Sequence, residues 1–258
     1  MKMIIRLTIK IFFFSFLILL SQFLRAQDVN SYINLAEQYE NAMNDEQAIL
    51  KYHEALKIQP NNIYAVCKAS ELCSRIGARF KNDKTKQADY FSAAKKYART
   101  ALKLDPLNSE ANFVMALVMG REAIEKGGKE KIMAVKDVKR FADLSIKYNP
   151  QNYKAWYILG KWYYEVSSLN YFEKTAVKVF FGALPEAQID DAIKCLEKSK
   201  SLNPGFVLNY LSLAKAYKKK DDEAMARQNI AMMINLPDKT QDDQKFKSEG
   251  KALLKKWN

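Results

Sequence analysis

Prolines recur along this chain at the ends of stretches in which apolar residues have helical spacing. Five of the six, Pro60, Pro106, Pro150, Pro204 and Pro237, each follow an amphipathic stretch and a short polar step. Because proline cannot continue the hydrogen-bond ladder of the helix before it, each of them marks the end of a helix. This recurrence predicts an all-α fold that is built from a succession of similar helical units.

The clearest unit contains Trp156, Leu159, Gly160 and Tyr163, at offsets of 0, 3, 4 and 7 residues. At about 100° per residue these four positions share one stripe of a helix. A glycine inside a helix costs about 0.5–1 kcal/mol relative to alanine. We therefore expect a second helix to approach closely at Gly160, where a side chain is missing.

The same spacing of large and small side chains returns in other units. In the first unit it comprises Tyr32, Leu35, Ala36, Tyr39, Ala48, Tyr52, Ala55 and Pro60. This pattern resembles the tetratricopeptide repeat (TPR), a helix–turn–helix unit of about 34 residues. The resemblance implies a right-handed α-solenoid of four to five hairpins in one domain, residues 27–258, that ends in a capping helix. The expected repeats are residues 29–62, 63–108, 109–152, 153–206 and 207–239, followed by the capping helix at 240–257.

Three of the units are longer than the standard repeat, with 46, 44 and 54 residues between successive prolines of the series. The extra residues lie between the two helices of each pair, so we expect long inserts within the hairpins. The longest insert, residues 170–191, is apolar in places. Its Phe181-Gly182 step suggests a helix that ends there and folds back on the solenoid.

The chain from Trp156 onwards resembles the regulator of microtubule dynamics family more closely than a generic repeat protein. The matching positions are Trp162, Tyr164, Val166, Glu173, Lys174, Ala176, Phe181, Gly182, Pro185, Ala187, Leu236, Pro237, Thr240 and Asp243. The resemblance implies the repeat fold and a binding role without catalysis. We do not carry over microtubule binding, because the start of the chain favours a bacterial, exported protein.

That start, residues 1–26, has basic residues, then an apolar run from Ile11 to Leu20, then Ala26. This order is typical of a secretory signal that is cleaved before Gln27. Leu24 lies where a small residue is usual, so an uncleaved N-terminal membrane anchor stays open as the alternative. Either interpretation predicts an exported protein, periplasmic or associated with the cell envelope.

Charge and composition narrow the classes of function. The chain carries a net charge of +13; residues 1–26 hold four Lys or Arg and no acid, which leaves +9 for the remainder. This favours an acidic partner or an anionic surface. The basic run at 218–220 is followed at once by acidic residues, which indicates a helix end and a new helix start rather than a nucleic-acid site.

This sequence contains few residues that could support catalysis. His53 is the one histidine, and we expect it to be exposed on the second helix of the first hairpin. No common catalytic or nucleotide-binding motif occurs, and no cluster has metal-ligand spacing. We predict no enzyme activity, no cofactor and no metal.

We expect binding on the concave face, which the first helix of each pair lines in such repeats. The predicted groove residues are Lys154, Tyr157, Lys161, Tyr164, Leu211, Lys215 and Lys218. Lysines beside tyrosine rings suit a protein or peptide partner with acidic groups or a C-terminal carboxylate. The third repeat offers Phe113, Leu117 and Arg121 at comparable positions.

The alternative is that the insert at 170–191 fills the groove and contacts Tyr157 and Tyr164. A further alternative is a membrane-anchored structural protein whose basic surface contacts anionic lipid.

Overall fold

The computed structural model describes residues 28–182 and 184–257, and these residues form twelve α-helices and no strand. The predicted signal or anchor at 1–26 lies outside the described residues. The all-α prediction is confirmed. The helices are α1 (28–41), α2 (Asp45–Ile58), α3 (Ile63–Gly77), α4 (Lys84–Leu104), α5 (Ser109–Glu125), α6 (Gly128–Tyr148), α7 (Tyr153–Ser167), α8 (Tyr171–Phe181), α9 (Ile189–Leu202), α10 (Val207–Lys219), α11 (Glu223–Asn235) and α12 (Asp243–Lys256).

Ten of these helices pair into five stacked hairpins: α1–α2, α3–α4, α5–α6, α7–α9 and α10–α11. The second helix of each pair also packs against the first helix of the next pair. In addition, first helices contact one another along the row, α3 with α5, α5 with α7, and α7 with α10. This nearest-neighbour stacking is that of a helical-repeat solenoid, as the sequence predicts.

Gly160 shows why the small position of the repeat matters. A Cβ atom at Gly160 would lie 2.7 Å from Leu196 Cγ and 3.2 Å from the Ala192 carbonyl oxygen, both on α9. Leu196 is fully buried in this contact. The missing side chain of α7 thus makes room for the leucine of its partner helix, as expected.

A recurring asparagine starts the first helix of the middle hairpins. The side chains of Asn62, Asn108 and Asn152, each two residues after a proline, accept hydrogen bonds of 3.0, 3.0 and 3.2 Å from the backbone N–H three residues later. These are N-caps. The fifth hairpin has Phe206 at this place, and its ring packs edge-on against that of Tyr157 with centroids 5.0 Å apart.

The longest insert forms α8 and a return segment. Asn170 and Glu173 make a capping box at the start of α8, and Gly182, at φ = 75°, follows its last residue. The helix lies against α6, and Leu184 and Ala187 then pack on the main core. The prediction of a helix that ends near Gly182 and folds back is confirmed.

The predicted capping helix is α12. Its residues Phe246, Leu253, Leu254 and Trp257 pack against the apolar cluster that α10 and α11 form. Gly250 of α12 faces Met233 of α11 at close range. A polar-surfaced helix therefore covers the last hairpin, which would otherwise expose its apolar side to water.

Candidate binding groove

The first helices α3, α5, α7 and α10 curve around a shared inner surface. Lys154 on α7 reaches past α5 to Glu71 on α3, with its Nζ 2.9 Å from Glu71 Oε2. Contact between alternate helices of a row requires that the row bend toward this side. We call this concave surface the groove; the side chains that face it and are discussed below are Glu71, Arg121, Lys154, Tyr157, Lys161, Tyr164 and Lys215.

Lys154 is held by charges of the protein itself. Besides Glu71, its ammonium lies 3.1 Å from Glu110 Oε2 and 4.7 Å from the centre of the Phe113 ring. Burial alone would raise the pKa of Glu71, but Lys154, Lys68 and nearby Arg75 outweigh it and lower that pKa to about 2. Lys154 was predicted as a groove residue that binds the partner; here it joins α7 to α3 and α5.

A second charged cluster connects the first two hairpins with the turn that precedes α12. The buried carboxylate of Asp45 accepts hydrogen bonds from both Arg75 and Arg79. Arg79 also binds Asp242 at 3.0 Å, and its Nη1 donates to Gln241 Oε1 at 2.6 Å. We call these five residues the clasp, because they join the first two hairpins to the turn before α12 and connect positions up to 197 residues apart.

The middle of the groove carries Tyr157, Lys161 and Tyr164, which are all partly exposed. Lys161 pairs at 2.9 Å with Glu165, one turn on in α7, whose side chain is 65% exposed. Its ammonium also lies 5.0 Å from the centre of the Tyr164 ring, with Lys219 5.9 Å from that ring. Burial alone lowers the pKa of Lys161, but Tyr157 and Glu165 outweigh it, so that pKa is raised. The structure thus brings the predicted residues of α7 together.

The far end of the groove is covered by the cap. Lys215 pairs with Glu249 of α12 at 2.6 Å, and Lys218 pairs with Glu223 at 2.5 Å beneath the Trp257 ring. Leu211 is only 2% exposed and belongs to the apolar cluster shared with α12. This corrects the prediction for Leu211: α12 continues the row of first helices and buries the position.

The groove tyrosines pack mainly on α9, α10 and Phe206, and only Ile189, at the end of the described insert, joins their apolar cluster. Tyr157 packs on Phe206, and Tyr164 faces Lys161 and Lys219. Among the described residues, α8 is instead recorded against α6, outside the row of first helices. In the part of the chain that the structure describes, α8 therefore lies along α6 and not along the middle of the groove.

His53 lies away from the groove and differs from its prediction. It is half-buried rather than exposed, and its ring stacks on Tyr97 with centroids 5.8 Å apart. Burial, with a contribution from Lys57, lowers the pKa of His53. Across residues 28–182 and 184–257, no three His, Cys, Asp or Glu side chains are grouped as metal ligands would be. In the same residues, no helix has the length and apolar character that crossing a bilayer requires.

The positions that carry the family resemblance have structural roles. Trp162 donates from Nε1 to the Val135 carbonyl at 2.7 Å, which ties α7 to α6. Asp243 accepts from the backbone N–H of Lys239 and Thr240 at 2.8 and 2.9 Å, and from the Thr240 hydroxyl at 2.8 Å. These bonds fix the turn before α12.

The family assignment agrees with these contacts. The family model described as Regulator of microtubule dynamics protein 1-3 matches residues 29–258. This chain belongs to that family. It is 27% identical over 165 residues to regulator of microtubule dynamics protein 3 of Mus musculus, covering 64% of this chain and 35% of that protein. It is also 27% identical over 160 residues to regulator of microtubule dynamics protein 1 of Caenorhabditis elegans, covering 62% of this chain and 71% of that one. The chain thus spans about a third of the length of the mammalian relative.

Solved structures support the fold. A thermophilic TPR protein of Thermus thermophilus superposes with a TM-score of 0.65 at 13% identity, covering 88% of this chain and 98% of that one. The pilF protein of Pseudomonas aeruginosa superposes with a TM-score of 0.53 at 16% identity, covering 90% and 93%. The chain is a TPR-type helical-repeat protein.

Proposed function

We propose that this chain is a non-catalytic scaffold that binds a segment of another protein in the middle of the groove. The observation that carries this proposal is the surface of α7, where Tyr157, Lys161 and Tyr164 lie together and half-open. Elsewhere in the groove, Lys154 and Lys215 are held by acids of other helices. Aromatic walls beside a cation suit a peptide with acidic groups.

Affinity capture tests the site. The double variant Lys161→Glu/Lys215→Glu reverses the charge of the groove, and Lys96→Glu/Lys103→Glu makes the same change in net charge at exposed positions of α4. We expect the groove variant to lose the partners that both the wild type and the α4 variant recover. Equal recovery by all three proteins would refute binding in the groove.

We further propose that the scaffold acts outside the cytoplasm, in the cell envelope. Support comes from the composition of residues 1–26 alone. N-terminal sequencing of the protein from fractionated cells tests this. A mature chain that begins at Gln27 indicates a cleaved signal, Met1 in the membrane fraction indicates an anchor, and Met1 in the cytoplasmic fraction rules out both.

Contact with anionic lipid is a second candidate function, favoured by the surface of α8. Tyr171, Phe172 and Val179 are 77%, 82% and 69% exposed, and at helical spacing they share an arc of about 100°. Lys174 and Lys178 border this arc on one side. Aromatic residues flanked by lysines are typical of helices that lie in the lipid headgroup region.

Vesicle sedimentation tests this candidate. We expect the chain to sediment with vesicles that contain anionic phosphatidylglycerol and not with those of phosphatidylcholine alone. The variant Tyr171→Gln/Phe172→Gln should stay in solution, whereas the control Leu107→Gln, at another exposed apolar position, should behave as wild type. Sedimentation that is unchanged in the α8 variant would contradict the role of α8.

A further inference from the structure

Arg121 brings a guanidinium into the groove from near the C-terminal end of α5. Its Nε donates to Ser74 Oγ on α3 at 3.2 Å, and its guanidinium carbon lies 5.7 Å from the centre of the Phe91 ring. Ser74 is fully buried. One hydrogen bond and one ring contact thus hold the side chain in place from the α3–α4 side.

Arg121 differs from Arg75, Arg79 and Lys154 because, among the described residues, no carboxylate pairs with it. Arg75 and Arg79 share Asp45, and Lys154 has Glu71. Within residues 28–182 and 184–257, no Asp or Glu oxygen lies within 4.0 Å of the Arg121 guanidinium; its recorded partners are Ser74 and Phe91.

The acids that act on Arg121 through space do not bind it. Burial lowers the pKa of Arg121, and the Coulombic effects of Tyr157, Asp242 and Glu125 oppose this only in part. Of these, Asp242 is already engaged by Arg79 in the clasp at 3.0 Å. A partly buried charge without its counter-ion is costly, and this cost is removed when an anion binds.

The position of Arg121 connects it with the residues of the proposed site. Arg121 lies about two helical turns beyond Phe113 on α5, and Lys161 lies about two turns beyond Lys154 on α7, so both continue the surface on which Lys154 meets the Phe113 ring. A guanidinium presents a planar fork of N–H donors that matches the two oxygens of a carboxylate, and such bidentate pairs are strong. A neutral side chain in the ligand would leave the fork without a charge partner.

We propose that Arg121 anchors a carboxylate group of the segment that binds in the groove. This inference rests on the proposed function and extends it by naming the chemistry of the ligand, an acidic side chain or a free C-terminus. Lys161 and the Tyr157 ring flank the bound carboxylate, and Ser74 orients the guanidinium from behind.

Peptide selection on the full chain tests the anchor. A phage library of short random peptides is selected on the wild-type protein, and the selected peptides are made in three forms: native, with Asp and Glu replaced by Asn and Gln, and with an amidated C-terminus. Fluorescence polarisation then gives their affinities for wild type, Arg121→Gln and the control Arg99→Gln, which changes an exposed arginine of α4. Helical circular dichroism and thermal unfolding show that each variant is folded.

We expect selected peptides to be acidic and to bind Arg121→Gln at least about 30-fold more weakly, as when one member of a buried charge pair is removed, while Arg99→Gln binds as wild type. The form that loses affinity for wild type, neutral side chains or amidated end, identifies which carboxylate is bound. If Lys161→Glu/Lys215→Glu abolishes binding but Arg121→Gln does not weaken it, the anchor is overturned and groove binding stands. If no peptide depends on any groove residue, both fall.

Discussion

The two ends of the groove use charge in opposite ways. At the end formed by the first hairpins, Asp45 is 1% exposed between two arginines, and Glu71 is held by Lys154. In the middle and at the far end, Lys161 and Lys215 are about a third exposed, and their acid partners more so. Ion pairs in water contribute little to stability, whereas breaking a buried one is costly. The difference teaches that the first end holds the shape of the solenoid, while Lys161 in the middle stays available to a partner.

The largest effect is expected from breaking the clasp at Asp45. The variant Asp45→Ala leaves Arg75 and Arg79 without their shared carboxylate, and we expect a loss of about 3–5 kcal/mol in the free energy of unfolding. Urea unfolding followed by circular dichroism measures it. The control Asp137→Ala removes a solvent-exposed pair with Arg140 and should cost less than about 1 kcal/mol. Similar losses in the two variants would remove the distinction between the ends.

Acid titration tests the Glu71 pair. The pKa of Glu71 is lowered from 4.5 to about 2 in the folded chain, so its contribution is fully present above about pH 4.5 and is lost as the pH falls toward 2. A shift of this size corresponds to about 3 kcal/mol. Urea unfolding at a series of pH values should show this loss in the wild type but not in Glu71→Gln. Equal acid dependence of the two proteins would show that Glu71 is not held by Lys154.

Substitution of Gly160 tests the close packing of α7 on α9, and substitution of Gly120 on α5 is the control. In Gly160→Ala the new methyl group meets Leu196, and we expect a loss of about 1–3 kcal/mol. In Gly120→Ala on α5 the nearest atom is Val138 Cγ2 at 3.9 Å, so the better helix propensity of alanine should add up to about 1 kcal/mol. Thermal unfolding measures both. The same sign of change in both variants would contradict the close approach at Gly160.

The smallest effect on stability belongs to Lys161. Its pair with the exposed Glu165 should be worth less than about 0.5 kcal/mol, so Lys161→Ala should unfold almost as the wild type does. Partner capture, in contrast, should fall in this variant. A large loss of stability would show that Lys161 has a structural role, like the pairs of Asp45 and Glu71 at the other end.

The fold was predictable because its signals are local. Pro60 marks the end of one helix, and Asn62 marks the start of the next within three residues. The spacing of Gly160 within its repeat indicates that a second helix packs closely there. The groove was predictable only in part. Counting offsets from Trp156 places Tyr157, Lys161 and Tyr164 correctly on one surface. The same counting fails at Leu211, because a helical period identifies faces but not which face the next helix covers.

Charge partners were the least predictable feature. The segment from Arg79 to Ala88 has the composition of a polar loop, and nothing in it indicates that Arg79 meets Asp242, 163 residues away. Arg121 appears in the sequence as one basic residue at a groove position. Among the residues that the structure describes, Arg121 has no carboxylate partner because nearby acids such as Asp242 pair with cations of other hairpins, and the sequence does not show these pairings.

By itself, the sequence determined the helices, their pairing and the repeat that stacks them, since caps, prolines and small residues act over a few positions. The tertiary structure alone decided which charges are paired and which stay available, because curvature of the row brings α3, α5 and α7 together. Electrostatic interactions depend on distances in space, and the clasp sets those distances across nearly the whole chain.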